Sequence, residues 1–379
     1  MNICVITSAK FPPEEGIGNY IYNMSQQFIK KGHSVTVITR GGIHRTQKED
    51  LDGIELYRVP FMPLYPFHVQ IHGIFVKSLL KSISKEFDVI HFHTPLPPPI
   101  STVLPTVTTV HTPMKADTGK VELVNLFALA VKLQGKVSCL IEHELFKNSD
   151  KITSVATSVA EELTEYGLEK NNVVVVGNGV DEKLFSPIEH KNQSKYILYT
   201  GRLSYRKGLF DFIESGILLC KKYPNISFKL TGKGPLLEKL QSMVQESGYK
   251  DRFEFLGHVD KNELISLYQN ATVFVLPSHY EGLPTTLLEA MACGAPVVAT
   301  AVSGNLDVIE SEKNGLLVPI KAPDKIADAV SLLLENESLR CQLGNNARRT
   351  IEEKFTWDAI SDKIMECYLS LLQEVPAAE

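Results

Sequence analysis

Short β-branched runs alternate with amphipathic helical stretches through nearly the whole chain, and this alternation most narrows the folds open to it. A run that is apolar throughout but too short for a helix fits a strand covered on both faces. Neighbouring parallel strands must be joined by a crossover, usually a helix, so repeated strand–helix units lead to open parallel sheets and an α/β fold. The spacing predicts strands over 3–7, 34–39, 54–59, 89–93, 106–111, 151–155 and 173–176 in one series. A second series covers 196–200, 227–231, 252–256, 273–277, 297–299 and 316–318. Between them lie the turn-rich Gly177-Asn178-Gly179-Val180-Asp181 and a polar stretch over 189–195. Two interrupted series imply two Rossmann-like, doubly wound domains, over residues 1–184 and 185–356. A last helical segment, 357–379, is expected to pack back on the first domain.

The chain has 379 residues, 44% of them hydrophobic, which suffices for two cores. Its formal charge of -5 lacks the basic excess of a nucleic-acid binder, so no nucleic-acid partner is expected. Met1 leads directly into an apolar strand, without the basic region and long apolar stretch of a signal peptide. The most apolar later stretch, 121–141, is broken by Glu122, Asn125, Lys132, Gln134 and Lys136. A cytoplasmic location is the resulting expectation. Six scattered cysteines, with no CxxC and no paired Cys/His spacing, read as reduced core residues rather than disulfides or a zinc site.

In doubly wound sheets ligands bind beyond the carboxyl ends of the strands, so the loops there are where chemistry belongs. The first carries Gly16 and Gly18 and opens a helix whose N–H groups could meet an anion, although a plain strand-to-helix turn reads equally simply. A dinucleotide fingerprint would place glycine at Ile21 and an acidic residue near Thr39-Arg40, which argues against NAD. In the second series a strand enters Gly201-Arg202-Leu203-Ser204-Tyr205-Arg206-Lys207-Gly208. Its three cations could neutralise a diphosphate or simply form a solvated loop. Arg206 and Gly208 stand where a P-loop would need Gly and Ser or Thr. Gly232 and Gly234 follow the next strand.

The most informative stretch runs over 273–294. A buried strand is followed by a loop with Glu281 and then a helix starting near Pro284-Thr285, with Glu289 on its second turn and Gly294 at its end. Free amides of the first turn can bind phosphate, while flanking carboxylates accept hydrogen bonds from sugar hydroxyls. The competing reading makes Glu281 a loop cap and Glu289 an ordinary surface residue. Asp50-Leu51-Asp52 precedes Gly53 in a polar connection and reads as a turn, not a metal site. His91 and His93 share one side of a strand and read as packing residues. The aromatic, proline-rich stretch 61–67 either borders an acceptor site or packs on the first domain. Lys77, Lys81 and Lys85, at i, i+4, i+8 beside apolar residues, form either a solvated face or one that rests on anionic lipid.

The run from Pro277 to Gly294, with its two glutamates, resembles the donor-site motif of the family 4 retaining glycosyltransferases of GT-B fold. The similarity extends in order through the Gly16 loop, Asp88 to His93, Thr109 to Pro113, Asn178 to Asp181 with Phe185, Gly201 to Gly208, and Gly232 to Pro235. It implies two Rossmann-like domains facing across a donor/acceptor cleft, and transfer of a hexose-type sugar from a UDP- or GDP-sugar to a glycan, lipid or other small-molecule hydroxyl acceptor. Arg202 and Lys207 would bind the diphosphate, with Gly16 and Gly18 approaching it. Glu289 would hold the ribose, Glu281 a sugar hydroxyl, and His111 another hydroxyl near the reacting carbon. Gly232 and the amides around Leu283, Pro284 and Thr285 would complete the donor site. Neither a metal nor a cofactor is implied. Glu15 stands where many relatives carry glycine, and Pro284 has no N–H to donate. A nucleotide-sugar epimerase of the same architecture and a non-catalytic sugar-nucleotide binder are the alternatives.

Overall fold

The computed structural model describes residues 1–8, 11, 16–64, 67–95, 100–115, 126–189 and 195–374. They form two compact units: Met1–Asn178 with the segment from Trp357, and Gly179–Thr356. The chain therefore leaves the first unit somewhat before the expected 184/185 border. Among the described residues, no helix is long and apolar enough to cross a membrane.

The first unit is built on strands β1 (Asn2–Ile6), β2 (Ser34–Arg40), β3 (Gln47–Leu51), β4 (Ile54–Val59), β5 (Val89–His93), β6 (Thr106–Val110), β7 (Lys151–Ser154) and β8 (Val173–Val175). Their order in the sheet is β3-β4-β2-β1-β5-β6-β7-β8. The order reverses between β1 and β5, where Val5 pairs with His91 in parallel register. Among the described residues of this sheet, only β3 runs antiparallel to its neighbour. It was not expected, because Gln47, Lys48, Glu49 and Asp50 give it no apolar face to read. Asp50 and Leu51 belong to this edge strand, so only Asp52 of that acidic triplet lies in the turn with Gly53. The Asp50 carboxylate accepts from the Gly53 N–H, and the Asp52 carboxylate accepts from Tyr22 Oη at 2.6 Å.

The helix Trp357–Glu374 lies on the first unit. Ile360, Ile364 and Tyr368 are fully buried, and Tyr368 packs on Phe28 of the helix Ile17–Lys30 with ring centroids 5.8 Å apart. Lys31 bridges Asp358 at 2.9 Å and also reaches Asp362. Exposed pairs of this kind contribute little, so buried apolar surface is what attaches the helix.

The second unit holds β9 (Tyr196–Thr200), β10 (Ser227–Thr231), β11 (Phe253–Gly257), β12 (Val273–Leu276), β13 (Val297–Thr300) and β14 (Leu316–Val318). All pair in parallel, in the order β11-β10-β9-β12-β13-β14. Numbered from β9 this is the 3-2-1-4-5-6 order of the Rossmann sheet, whose ligands bind where the order reverses. Here that point lies between β9 and β12.

Candidate active site

Two loops leave the carboxyl ends of β9 and β12, and close backbone approaches hold them in place. A Cβ on Gly208 would lie 1.9 Å from the Pro277 carbonyl oxygen, so only glycine lets the lysine loop press against the loop after β12. A Cβ on Gly232 would lie 2.0 Å from the Gly201 carbonyl oxygen, and Gly232 also has φ 111°. The His279 N–H donates to the Arg206 carbonyl at 2.8 Å, and His279 Nε2 lies 2.7 Å from Asp211 Oδ2. These constraints carry Lys207 Nζ to 2.5 Å from Glu281 Oε1. Ser278 Oγ donates to the same oxygen at 2.6 Å. Glu281 is 4% exposed, so removing its lysine would strand a buried charge. Arg202 is exposed and has no carboxylate partner among the described residues, which leaves its fork of donors open to a ligand.

The helix Thr285–Ala292 is anchored by Leu287, Leu288, Ala290 and Met291, all fully buried. Each buried leucine contributes about 2 kcal/mol. Pro284 occupies the N-cap position rather than the first helical turn, and its carbonyl accepts from the Leu287 and Leu288 N–H groups. The amides of Leu283, Thr285 and Thr286 have no partner among the described residues, and neither does the buried Thr286 hydroxyl. They are free donors at the positive end of a helix.

Thr285 and Glu289, four residues apart, share a face of that helix. Glu289 has a different environment from Glu281. Among the described residues no lysine pairs with it; instead Tyr268 Oη donates to Glu289 Oε2 at 2.9 Å. Burial pushes the Glu289 carboxyl up to about 7, against the lowering effects of the Tyr268 bond and, more weakly, of Lys261. Ser278 and Tyr268 were not found from the sequence. A serine after a strand and a tyrosine at an apolar helix position carry no signal until the fold brings them to the carboxylates.

The remaining candidates belong to the first unit. Gly16 caps the helix Ile17–Lys30, with its carbonyl accepting from the Tyr20 N–H at 3.0 Å, and Gly18 is buried in the first turn. Tyr20 sets its ring edge against His111 at 4.8 Å between centroids. His111 Nε2 lies 3.1 Å from His93 Nδ1, which leaves His111 Nδ1 for a further partner. His93 also packs at a tilt against His91, whose nitrogens meet Tyr368 Oη and Thr109 Oγ1 at 2.5 and 2.7 Å. Burial holds His91 and His111 down to about 3, and His93 well below its ordinary value, so all three are neutral at physiological pH. Phe61 packs on His68 and His72 of its own unit, whereas Tyr65 and Pro66 of the same stretch lie outside the described residues, as does Glu15.

Two family models match this architecture in succession: Glycosyltransferase Family 4 over residues 15–184 and Glycosyl transferases group 1 over residues 180–350. The chain is a group 1 glycosyltransferase of family 4. The first model contains Gly16, Gly18 and His111, and the second contains every candidate from Arg202 to Glu289. This glycosyltransferase is 28% identical to an uncharacterized glycosyltransferase of Methanocaldococcus jannaschii, over 97% of its own length and 98% of the relative's. It has the GT-B fold. Sucrose-phosphate synthase from Thermosynechococcus elongatus superposes with a TM-score of 0.79 at 22% identity, covering 99% of this chain and 100% of that one. Anabaena Alr3699/HepE in complex with UDP and glucose superposes at 0.70 with 16% identity, covering 98% and 100%.

Proposed function

We propose that this glycosyltransferase moves a hexose-type sugar from a nucleotide-sugar to a hydroxyl acceptor with retention of anomeric configuration and without a metal. The observation that carries the proposal is the convergence at one strand-order reversal of an exposed arginine, a lysine paired with a buried carboxylate, and a helix with open first-turn amides. Breaking the bond between the anomeric carbon and the distal phosphate puts negative charge on the diphosphate. Arg202, Lys207 and the amides of Leu283 and Thr285 supply fixed positive potential for that charge. Pro284 contributes shape rather than a donor. Glu289 holds the ribose and Gly232 gives the diphosphate backbone access. From the first unit, His111 takes a hydroxyl of the transferred sugar, and Gly16 and Gly18 give backbone access to the phosphates.

Glu281 binds a sugar hydroxyl rather than attacking the anomeric carbon. Its Oε1 already accepts from Lys207 and Ser278, which weakens it as a nucleophile. A donor phosphate oxygen takes the acceptor's proton in a front-face reaction. If Glu281→Gln kept near-full turnover with unchanged donor affinity, both the hydroxyl role and the nucleophile role would fall.

UDP is the preferred donor nucleotide, supported by the shared fold of the HepE complex with UDP and glucose, with GDP as the second choice. The acceptor is a glycan, a lipid or a lipid-linked sugar. Exposed Lys77, Lys81 and Lys85 beside Ile74, itself 67% exposed, favour peripheral contact with an anionic membrane face from the cytoplasmic side. Co-sedimentation with anionic but not neutral vesicles supports that contact, and equal sedimentation with both removes it.

NMR of UDP- and GDP-hexoses incubated with candidate acceptors tests the function. The expected result is a new glycosidic linkage with the donor's anomeric configuration. Inversion would remove the front-face route, conversion of the donor without acceptor would favour an epimerase, and binding without turnover would favour a non-catalytic role.

A further inference from the structure

We infer that Tyr268 is a positioning residue for Glu289, holding its carboxylate toward the donor ribose through a hydrogen-bond relay that begins at Thr200. The inference rests on the proposed role of Glu289 as the ribose ligand. Tyr268 lies on the helix Lys261–Asn270 and is completely buried. Its ring meets Phe185 and Phe274 edge-on, with centroids 6.2 and 5.7 Å away. Packing alone would need only the ring. The hydroxyl has two polar partners, Glu289 Oε2 at 2.9 Å and Thr200 Oγ1 at 2.7 Å.

The chemistry of these groups gives the relay a direction. A phenol has one hydrogen, and burial together with the neighbouring carboxylate raises the Tyr268 pKa so that it keeps that hydrogen. Ionised Glu289 can only accept, so Tyr268 donates to it and Thr200 donates to Tyr268. Glu289 Oε2 is thereby engaged, and Oε1, which has no hydrogen-bond partner among the described residues, is left for a ribose hydroxyl. Thr200 is the last residue of β9 and directly precedes the loop that carries Arg202 and Lys207. The ribose and diphosphate ends of the donor site thus share one anchor. Few other titratable groups face it. Lys261 acts on Glu289 from the tyrosine's helix, Cys293 acts on Tyr268, and Arg348 from the helix Glu337–Lys354 donates to the Ala292 carbonyl at the far end.

The test is calorimetric titration of UDP and 2′,3′-dideoxy-UDP, or the GDP pair if GDP binds more tightly. Wild type, Tyr268→Phe, Thr200→Val and Glu289→Gln are compared from about pH 6 to about pH 9. Tyr268→Phe keeps the ring and should lose about fivefold in affinity for UDP but almost none for the dideoxy nucleotide. In wild type, UDP affinity should fall as pH drops through about 7 and Glu289 takes up a proton; in Tyr268→Phe that inflection should move to higher pH. Thr200→Val should show a smaller loss in the same direction. Equal losses on both nucleotides, or no loss with an unmoved inflection, would overturn the inference, because a purely structural tyrosine affects both ligands alike. If Glu289→Gln leaves the preference for UDP over its dideoxy form at the wild-type ratio, the ribose role of Glu289 itself fails. Failure of wild type to bind either nucleotide would overturn the donor reading beneath both.

Discussion

At the carboxyl ends of β5 and β6 three histidines gather within the first unit, whereas beyond those of β9 and β12 a lysine meets a carboxylate within the second. Both groups lie near a strand-order reversal of a mostly parallel sheet, yet burial acts on them differently. It leaves the histidines neutral, able to exchange hydrogen bonds with uncharged hydroxyls. In the second unit Glu281 stays buried beside its lysine, while Glu289, which lacks one, is pushed up to about 7. The two carboxylates thus differ in partner: a lysine and a serine hydroxyl meet Glu281, and a tyrosine hydroxyl meets Glu289. The contrast fits the proposed roles, with neutral groups for sugar hydroxyls in the first unit and a cation for the diphosphate in the second.

The largest effect should come from breaking the charged side of the comparison. Lys207→Met should lower transfer at least about 100-fold, and lower stability to denaturant by about 3 kcal/mol because Glu281 is left buried without its cation. Combining it with Glu281→Gln should restore stability but not transfer. An unchanged denaturation midpoint in the single variant would show that the pair does not anchor the site.

Next in size is Gly232→Ala, which forces a methyl group toward the Gly201 carbonyl and should cost about 2 kcal/mol while weakening nucleotide binding. A fully stable variant with normal affinity would mean that the two loops move apart freely.

Glu289→Gln sharpens the contrast between the carboxylates. The folded pKa of Glu289 lies above its ordinary value, so its favourable contribution is complete at low pH and is lost as pH rises through about 7. The glutamine variant should therefore be more stable than wild type at pH near 8, and indistinguishable near pH 4, as thermal melts would read. It should bind nucleotide less tightly at the higher pH, and about as tightly as wild type near pH 4, where Glu289 is itself protonated. Lower stability of the variant at the higher pH would contradict the assigned environment.

The smallest effect concerns the neutral side. His111→Asn should reduce kcat about tenfold without changing the shape of the pH–rate profile, because a histidine held down to about 3 does not titrate in the working range. A limb near pH 6.5 that disappears in the variant would show that His111 is charged in the working enzyme.

The parallel strands were legible because burial on both faces leaves uninterrupted apolar runs, as in Tyr196–Thr200 and Val273–Leu276. β3 was not, because a polar edge strand is recognised by its hairpin with β4 rather than by its own pattern. In the site, Lys207 and Glu281 are legible as charges beside glycines in the loops after strands, and Glu289 as a carboxylate on the helix that follows. Their supports, Ser278, Tyr268 and Thr200, became visible only through tertiary contacts between residues distant in the chain. The pairing of His93 with His111 joins two adjacent strands, a neighbour relation that spacing alone does not reveal.

The central claim is that the second unit reads the donor's diphosphate by charge, and titrating UDP and uridine into wild type and Lys207→Met tests it most directly. Wild type should bind UDP at least about tenfold more tightly than uridine, and the lysine variant should lose most of that ratio while its uridine affinity barely changes. A ratio that survives the loss of Lys207 would contradict the account.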